Sequence, residues 1–183
     1  MRFTVTQDQL VEAFDAIRHD AGFKESADLI RAGKKPSEML QAFALRPEIL
    51  RAFACFGSCV YPGGLIERRI KELVIIEASR LNACQFCRDS HIAVAKMLGL
   101  SDDPLSLIDH PDKMNDREKL ALEYTRAVMK DPNRIDTDLF RRLSEKYSDA
   151  EIVELTFTVG YINMLNMFNS SLQVAYAGEF QTL

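Results

Sequence analysis

No uninterrupted apolar run in this sequence approaches the roughly 20 residues that a membrane-spanning helix needs, and the start of the chain, Met1-Arg2-Phe3-Thr4-Val5-Thr6-Gln7-Asp8, lacks the apolar stretch of a signal peptide. A membrane partner is therefore not expected, and the cytoplasm is the expected location. Excess positive charge is missing too. The formal net charge is −4, which gives no electrostatic reason to expect nucleic acid as a partner. Low-complexity tracts, long linkers, repeats of clear period and any convincing strand-like alternation are also absent. With 183 residues, 47% of them hydrophobic and 27% charged, the chain reads as one globular domain over 1–183, large enough to bury a core.

What is present is helical periodicity, and the expected fold class is all-α. Leu10, Val11, Phe14 and Ile17 form a first stripe after Thr6, a natural N-cap. A short helix over Ala27 to Ala32 should stop at Gly33, and Pro36-Ser37 should open another carrying Met39, Leu40 and Phe43. Pro47 suits the first turn of the next helix, and Tyr61-Pro62-Gly63-Gly64 is the strongest break in the chain. The stripe Ile66, Ile70, Leu73, Val74 runs on to Leu81. Asn82 is then expected to end that helix and cap the next, from Ala83 to Leu98, with Gln85 as capping-box partner and Gly99 as terminator. Helices over Asp116 to Lys130 and Thr137 to Tyr147 follow. The last, opened by Ser148 and Glu151, should reach towards Tyr176. It is apolar nearly all round, which predicts burial on every side, as a central helix or at a subunit interface.

Four cysteines in an intracellular chain of this length point to redox or metal chemistry before a structural disulfide framework. Cys84 and Cys87 form a C-x-x-C, and His91 follows four residues later. Helical geometry puts positions 84, 87 and 91 on one face at a helix start, where free N–H groups and the helix dipole favour a thiolate. His91 could take a thiol proton or stabilise the thiolate, and needs an orienting carboxylate of its own. Glu72 and Glu77 on the preceding helix are both candidates, and spacing alone does not choose between them.

Three other readings of the thiols compete. They could be small buried hydrophobes, although a pair with a histidine on one face argues against that. They could bind zinc through Cys84, Cys87 and His91, with Cys55 or Cys59 as fourth ligand; three ligands on one helical turn suit a closed tetrahedral site poorly, and no second C-x-x-C is present. Covalent haem attachment fails, because Arg88 stands where the histidine would have to be. Cys55 and Cys59 are expected to be buried beside Phe53 and Phe56. The charged runs Glu67-Arg68-Arg69 and Asp116-Arg117-Glu118-Lys119 are expected to be solvated helix faces.

The segments Ile70-Lys71-Glu72-Leu73-Val74-Ile75-Ile76 and Leu81-Asn82-Ala83-Cys84-Gln85-Phe86-Cys87, followed by His91, resemble the AhpD-like branch of the carboxymuconolactone decarboxylase superfamily. The resemblance is strongest over about 47–100, the core motif region. Its Glu-x11-Cys-x2-Cys-x3-His spacing selects Glu72 over Glu77. It implies an all-α bundle assembling into trimers or hexamers, and a thiol peroxidase or disulfide oxidoreductase that reduces alkyl hydroperoxides without haem, metal or other cofactor. The implied site is Cys84, Cys87, His91 and Glu72, with a dithiol or thioredoxin-like protein as electron donor. The first attacking cysteine stays open: the dipole favours Cys84, nearness to His91 favours Cys87. Phe86 departs from the best-studied members, which have a histidine there, and removes one proton-handling group. Alternatives of other classes are a non-enzymatic redox sensor, a zinc-stabilised interaction protein, or a decarboxylase-like enzyme on a carbonyl or lactone; decarboxylase members usually lack the cysteine pair.

Overall fold

The computed structural model describes residues 1–19 and 24–178, and among these residues it is all-helical, with no strand. The helices are α1 (Gln7–Ala16), α2 (Lys24–Arg31), α3 (Glu38–Ala44), α4 (Pro47–Val60), α5 (Arg68–Leu81), α6 (Gln85–Met97), α7 (Pro104–Asp109), α8 (Asp116–Lys130), α9 (Thr137–Ser144) and α10 (Asp149–Leu172). None of them is long and apolar enough to cross a membrane. Local chemistry sets many boundaries. Thr6 and Gln9 form a reciprocal capping box at α1, as do Ser148 and Glu151 at α10. Pro47 opens α4 where its missing N–H has no helical partner to lose.

The helix buried on every side is α5, not α10. Each residue from Ile70 to Ser79 is buried, because α5 packs against α6, α8 and α10 at once. Its apolar side chains contribute to two clusters. Ile75 and Ala78 share one cluster with side chains of α1, α4 and α10, while Leu73, Val74 and Ile76 share the other with side chains of α8, α9 and α10. A helix so enclosed must pair each of its polar side chains, since an unpaired buried polar group costs about 1–3 kcal/mol and a charge costs more. Ser79 accepts from Asn166 at 3.0 Å, and Glu77 takes Arg80 at 2.8 Å and Arg126 at 2.6 Å. Lys71, fully buried, bonds Glu154 at 2.5 Å and the carbonyl of Val60 at 2.7 Å.

That Lys71–Glu154 pair fixes the break between α4 and α5. Glu154 also accepts from the backbone amides of Leu65 at 2.6 Å and Ile66 at 3.1 Å, and Lys71 also donates to the carbonyl of Gly63. Gly64 adopts φ +112°, and any side chain there would collide with Glu154 Oε1 and Lys71 Nζ. Glycine is required at this position by both backbone and space.

Within one chain α10 is not buried on every side, so of the two alternatives the central helix does not hold. Val153, Phe157, Met164 and Met167 are exposed, Met167 at 65%, while Ile152, Leu155, Val159, Ile162 and Leu165 are buried. Its composition is apolar all round, yet only one side meets the core. Its α-helix also ends earlier than expected, at Gln173 with φ +53°. The turn before α6 differs as well. Asn82 ends α5 as expected but does not open α6, and the amides of Ala83 and Cys84 bond the carbonyls of Arg80 and Ser79 at 3.1 and 2.9 Å, a Schellman closure. Asn82 spends its side chain on α10, donating to Asn163 at 2.7 Å and Asn166 at 3.1 Å, so Cys84 becomes the N-cap. At the other end Gly99, φ +64°, terminates α6 as expected.

Candidate active site

Cys84 and Cys87 are both about 2% exposed, and their sulfurs lie 2.9 Å apart as free thiols sharing one hydrogen bond. The hydrogen bond within the pair places its charge on Cys84. The Cys84 pKa is lowered to about 6, first by the hydrogen bond from the Cys87 thiol, against the opposing effect of burial. The Cys87 amide, Ser170 and Asn166 add to it. Cys87 is driven the other way, by its bond to Cys84, by burial and by the Cys84 charge. Cys84 stands at the N-cap itself, two residues after the expected cap, where it accepts from the backbone amide of Cys87.

His91 stands one turn beyond Cys87, and its Nδ1 lies 2.7 Å from Glu72 Oε2. The structure thus brings Glu72, and not Glu77, to the histidine. Burial raises the Glu72 pKa, but the His91 bond and the Arg68 charge outweigh it and hold the carboxyl below its ordinary value. The same carboxylate receives Arg68 Nε at 2.5 Å and the Tyr61 hydroxyl at 2.9 Å. Tyr61 also receives Arg68 Nη2 at 2.5 Å and meets the His91 ring edge-on. Burial, then the Glu72 charge, push the Tyr61 phenol up, so it stays protonated and donates.

Tyr61 and Arg68 belong to this constellation and were not singled out in the sequence. Arg68 lies in a charged run expected to be solvated. Its neighbours also find partners: Arg69 bonds buried Glu118 at 2.5 Å, and Arg117 bonds Glu67 and Glu151. The run after Gly64 therefore serves as ties between helices. The signal available for Arg68 was its i,i+4 spacing to Glu72; nothing local signals Tyr61, which reaches Glu72 only because the Lys71–Glu154 pair holds the loop.

A cavity of about 160 Å³ opens beside the thiols. Cys87 and His91 both line it, and Cys84 does not. The rest of the wall is largely apolar and includes Phe53, Tyr61, Phe86, Tyr161 and Leu165. Phe86 packs edge-on against Tyr176. Cys55 and Cys59, expected to be buried, are exposed on α4, because the side of α4 that meets the core carries Leu50 and Phe53 instead. Among the described residues no group of three or more His, Cys, Asp or Glu side chains is arranged to hold a metal ion.

Residues 47–127 match the model of the carboxymuconolactone decarboxylase family. The uncharacterized protein YnjA of Escherichia coli (strain K12) is 31% identical over 112 residues, which is 60% of this chain and 62% of YnjA, so the match spans less than two thirds of that relative. A solved structure of a protein of unknown function from Agrobacterium tumefaciens, described as a candidate antioxidant defence protein AhpD, shares 28% identity at TM-score 0.66, covering 74% of this chain and 94% of that one. An uncharacterized peroxidase-related protein from Ralstonia eutropha JMP134, described as an alkylhydroperoxidase AhpD core, gives TM-score 0.77 at 18% identity, covering 98% and 93%. The debrominase Bmp8, solved with 2,3,4-tribromopyrrole, gives 0.72 at 16% identity, covering 94% and 88%. The last two establish a common fold.

Proposed function

We propose that this chain, whose residues 47–127 match the carboxymuconolactone decarboxylase family, is an AhpD-like member of that superfamily and a thiol peroxidase reducing organic hydroperoxides through Cys84 and Cys87. One observation carries the reading. Cys87 and His91 open on the same apolar cavity, with the Cys84 sulfur 2.9 Å from Cys87 and the Glu72 carboxylate 2.7 Å from His91.

In this reading Glu72 holds the proton of His91 on Nδ1 and leaves Nε2 as the proton acceptor. His91 takes the Cys87 proton across the cavity. The Cys87 thiolate attacks the peroxide: an S–O bond forms, the O–O bond breaks, and the leaving alkoxide takes the proton back from His91 as an alcohol. The Cys84 thiolate then attacks the sulfenic sulfur of Cys87. The S–S bond forms, the S–O bond breaks, and hydroxide leaves and is protonated to water. The pair loses two electrons and the peroxide gains them. A dithiol or thioredoxin-like donor returns them, which suits a cytoplasmic setting. Cys87 attacks first because it reaches the cavity, and Cys84 holds the resting charge and resolves.

The exposed α10 stripe supports self-association in the same reading. Val153, Phe157, Met164 and Met167 share one side of the helix, and Phe56 of α4 extends it, its ring centroid 4.5 Å from that of Phe157. A second copy of the chain is the proposed occupant, giving a trimer or hexamer.

The test is reduction of cumene hydroperoxide coupled to NADH through a dithiol donor, in the wild type and in Cys87→Ser. Turnover abolished by the substitution is expected. Equal rates in the two proteins would sink the proposal.

A further inference from the structure

Three polar side chains of α10 face the thiol pair: Asn166, Asn169 and Ser170, at the i, i+3, i+4 spacing of one helical face. Asn166 is satisfied at both ends. Its Nδ2 donates to Ser79 at 3.0 Å, and its Oδ1 accepts from Asn82 at 3.1 Å. Asn169, 1% exposed, is different. Its Nδ2 donates to Cys87 Sγ at 3.2 Å and to Met39 Sδ at 3.5 Å, while among the described residues its Oδ1 has no hydrogen-bond partner.

Both hydrogens of this buried amide therefore go to sulfur, a weak acceptor while neutral, and its strong acceptor oxygen is unpaired. Such an arrangement disfavours the reduced dithiol protein. It makes sense if Cys87 does not remain a thiol. A hydrogen bond to a thiolate is charge-assisted and stronger, and a sulfenic acid brings an O–H that requires an acceptor. Cys87 needs such help: burial and the neighbouring Cys84 charge oppose its ionisation, and Asn169 is the first of the groups that favour it.

We propose that Asn169 is a catalytic residue, whose Nδ2–H holds negative charge on Cys87 Sγ during attack and whose Oδ1 accepts the O–H of the Cys87 sulfenic acid. The inference rests on the peroxidase reading above. The two ends of one rigid amide serve successive states of one sulfur. Asn169 breaks no bond and transfers no proton; it stabilises the S⁻ that forms the S–O bond, then orients the S–OH whose S–O bond Cys84 breaks. Because the amide projects from α10 and the thiols from the start of α6, it can hold Cys87 without moving with it.

The experiment has one arm that needs no peroxide. In a Cys84→Ser background, alkylation of Cys87 by iodoacetamide is followed against pH, with Asn169 intact and with Asn169→Leu. The midpoint should rise by about one unit, a roughly tenfold slower reaction near neutrality. In the otherwise native chain, single-turnover reaction with cumene hydroperoxide should slow at least about tenfold in Asn169→Leu, as for loss of one charge-stabilising donor. With excess cumene hydroperoxide, a second equivalent should oxidise the unresolved sulfenic acid to sulfinic acid at Cys87, while diamide still closes the Cys84–Cys87 bridge fully. Asn169→Gln should restore part of the rate, and Asn169→Ala gives the same comparison if the leucine variant does not fold. An unchanged alkylation midpoint in a folded variant overturns the proposal. If the wild type leaves cumene hydroperoxide untouched while the midpoint still rises, the peroxidase reading falls and the assignment of Asn169 to the Cys87 charge stands.

Discussion

Nδ1 of His91 lies 2.7 Å from a Glu72 carboxylate that is 1% exposed, so the two residues bridge α5 and α6 in the protein's interior. The carboxylate is held further by Arg68 and Tyr61. A carboxylate at Nδ1 favours the tautomer that carries its proton there and leaves Nε2 as the acceptor.

Removing the carboxyl charge while keeping its shape should uncouple that base. Glu72→Gln is expected to lower hydroperoxide turnover by about 10²-fold or more, the usual contribution of positioned acid–base catalysis. Free-thiol titration should still find four cysteines. Steady-state kinetics on the reduced protein, with unchanged circular dichroism, checks it.

The Cys84 thiolate is directly observable. With its pKa lowered to about 6, absorbance at 240 nm should show about one thiolate per chain at pH 7.5, lost as pH falls through 6. Cys84→Ser should abolish that transition. The linkage sign follows: an acid whose folded pKa is lowered adds stability that is complete above the unfolded thiol pKa and disappears as pH drops through about 6. The reduced protein should accordingly gain stability from pH 6 to 9 relative to Cys84→Ser, as read by urea denaturation.

Lys71 and Glu154 are expected to show the largest structural penalty. Lys71→Met leaves the Glu154 carboxylate without its cation in a buried setting and should destabilise the protein by about 3–5 kcal/mol. The same variant should lose activity beyond its folded fraction, because the 61–66 loop that delivers Tyr61 to Glu72 loses its anchor. Urea midpoints and kinetics measured on the same preparation separate the two effects.

Ala83 holds φ +53° in the turn that sets Cys84. A non-glycine residue in the left-handed region costs roughly 1–2 kcal/mol, so Ala83→Gly should raise stability by about 1 kcal/mol. Thermal unfolding checks the sign, and a decrease would contradict the account of the turn.

Acid unfolding should report the lowered carboxylates. Glu72 and Glu154 are held below their ordinary range and Glu151 at about 2, chiefly by the Ser148 amide and Arg117. Carboxyls of lowered pKa add stability that is complete above their unfolded value near 4.5 and is lost as pH falls through the folded one. Stability should therefore decline below pH 4.5, and Glu151→Gln should flatten that decline between pH 4.5 and 2.

Much of this was legible from local signals. Thr6, Ser148 and Gly99 mark helix ends through chemistry contained within a few residues, and all three behave as read. The shared face of Cys87 and His91 follows from helical period, whereas Cys84 meets Cys87 from the N-cap. What local pattern missed depends on partners far along the chain. Asn82 looks like a cap until Asn163 and Asn166 of α10 compete for it. Tyr61 and Arg68 acquire a role only once loop and helix meet Glu72. Asn169 sits 82 residues from Cys87, which it touches. The apolar composition of α10 hid which side the core would leave bare, and α7 was too short to register as a period.

The central claim is that Cys84 and Cys87 exchange electrons with a peroxide as a closed pair. It is tested most directly by treating the fully reduced protein with one equivalent of cumene hydroperoxide and mapping its thiols by mass spectrometry. A bridge confined to Cys84 and Cys87, with Cys55 and Cys59 still free, is the predicted result; oxidation that spares both Cys84 and Cys87 would contradict the account.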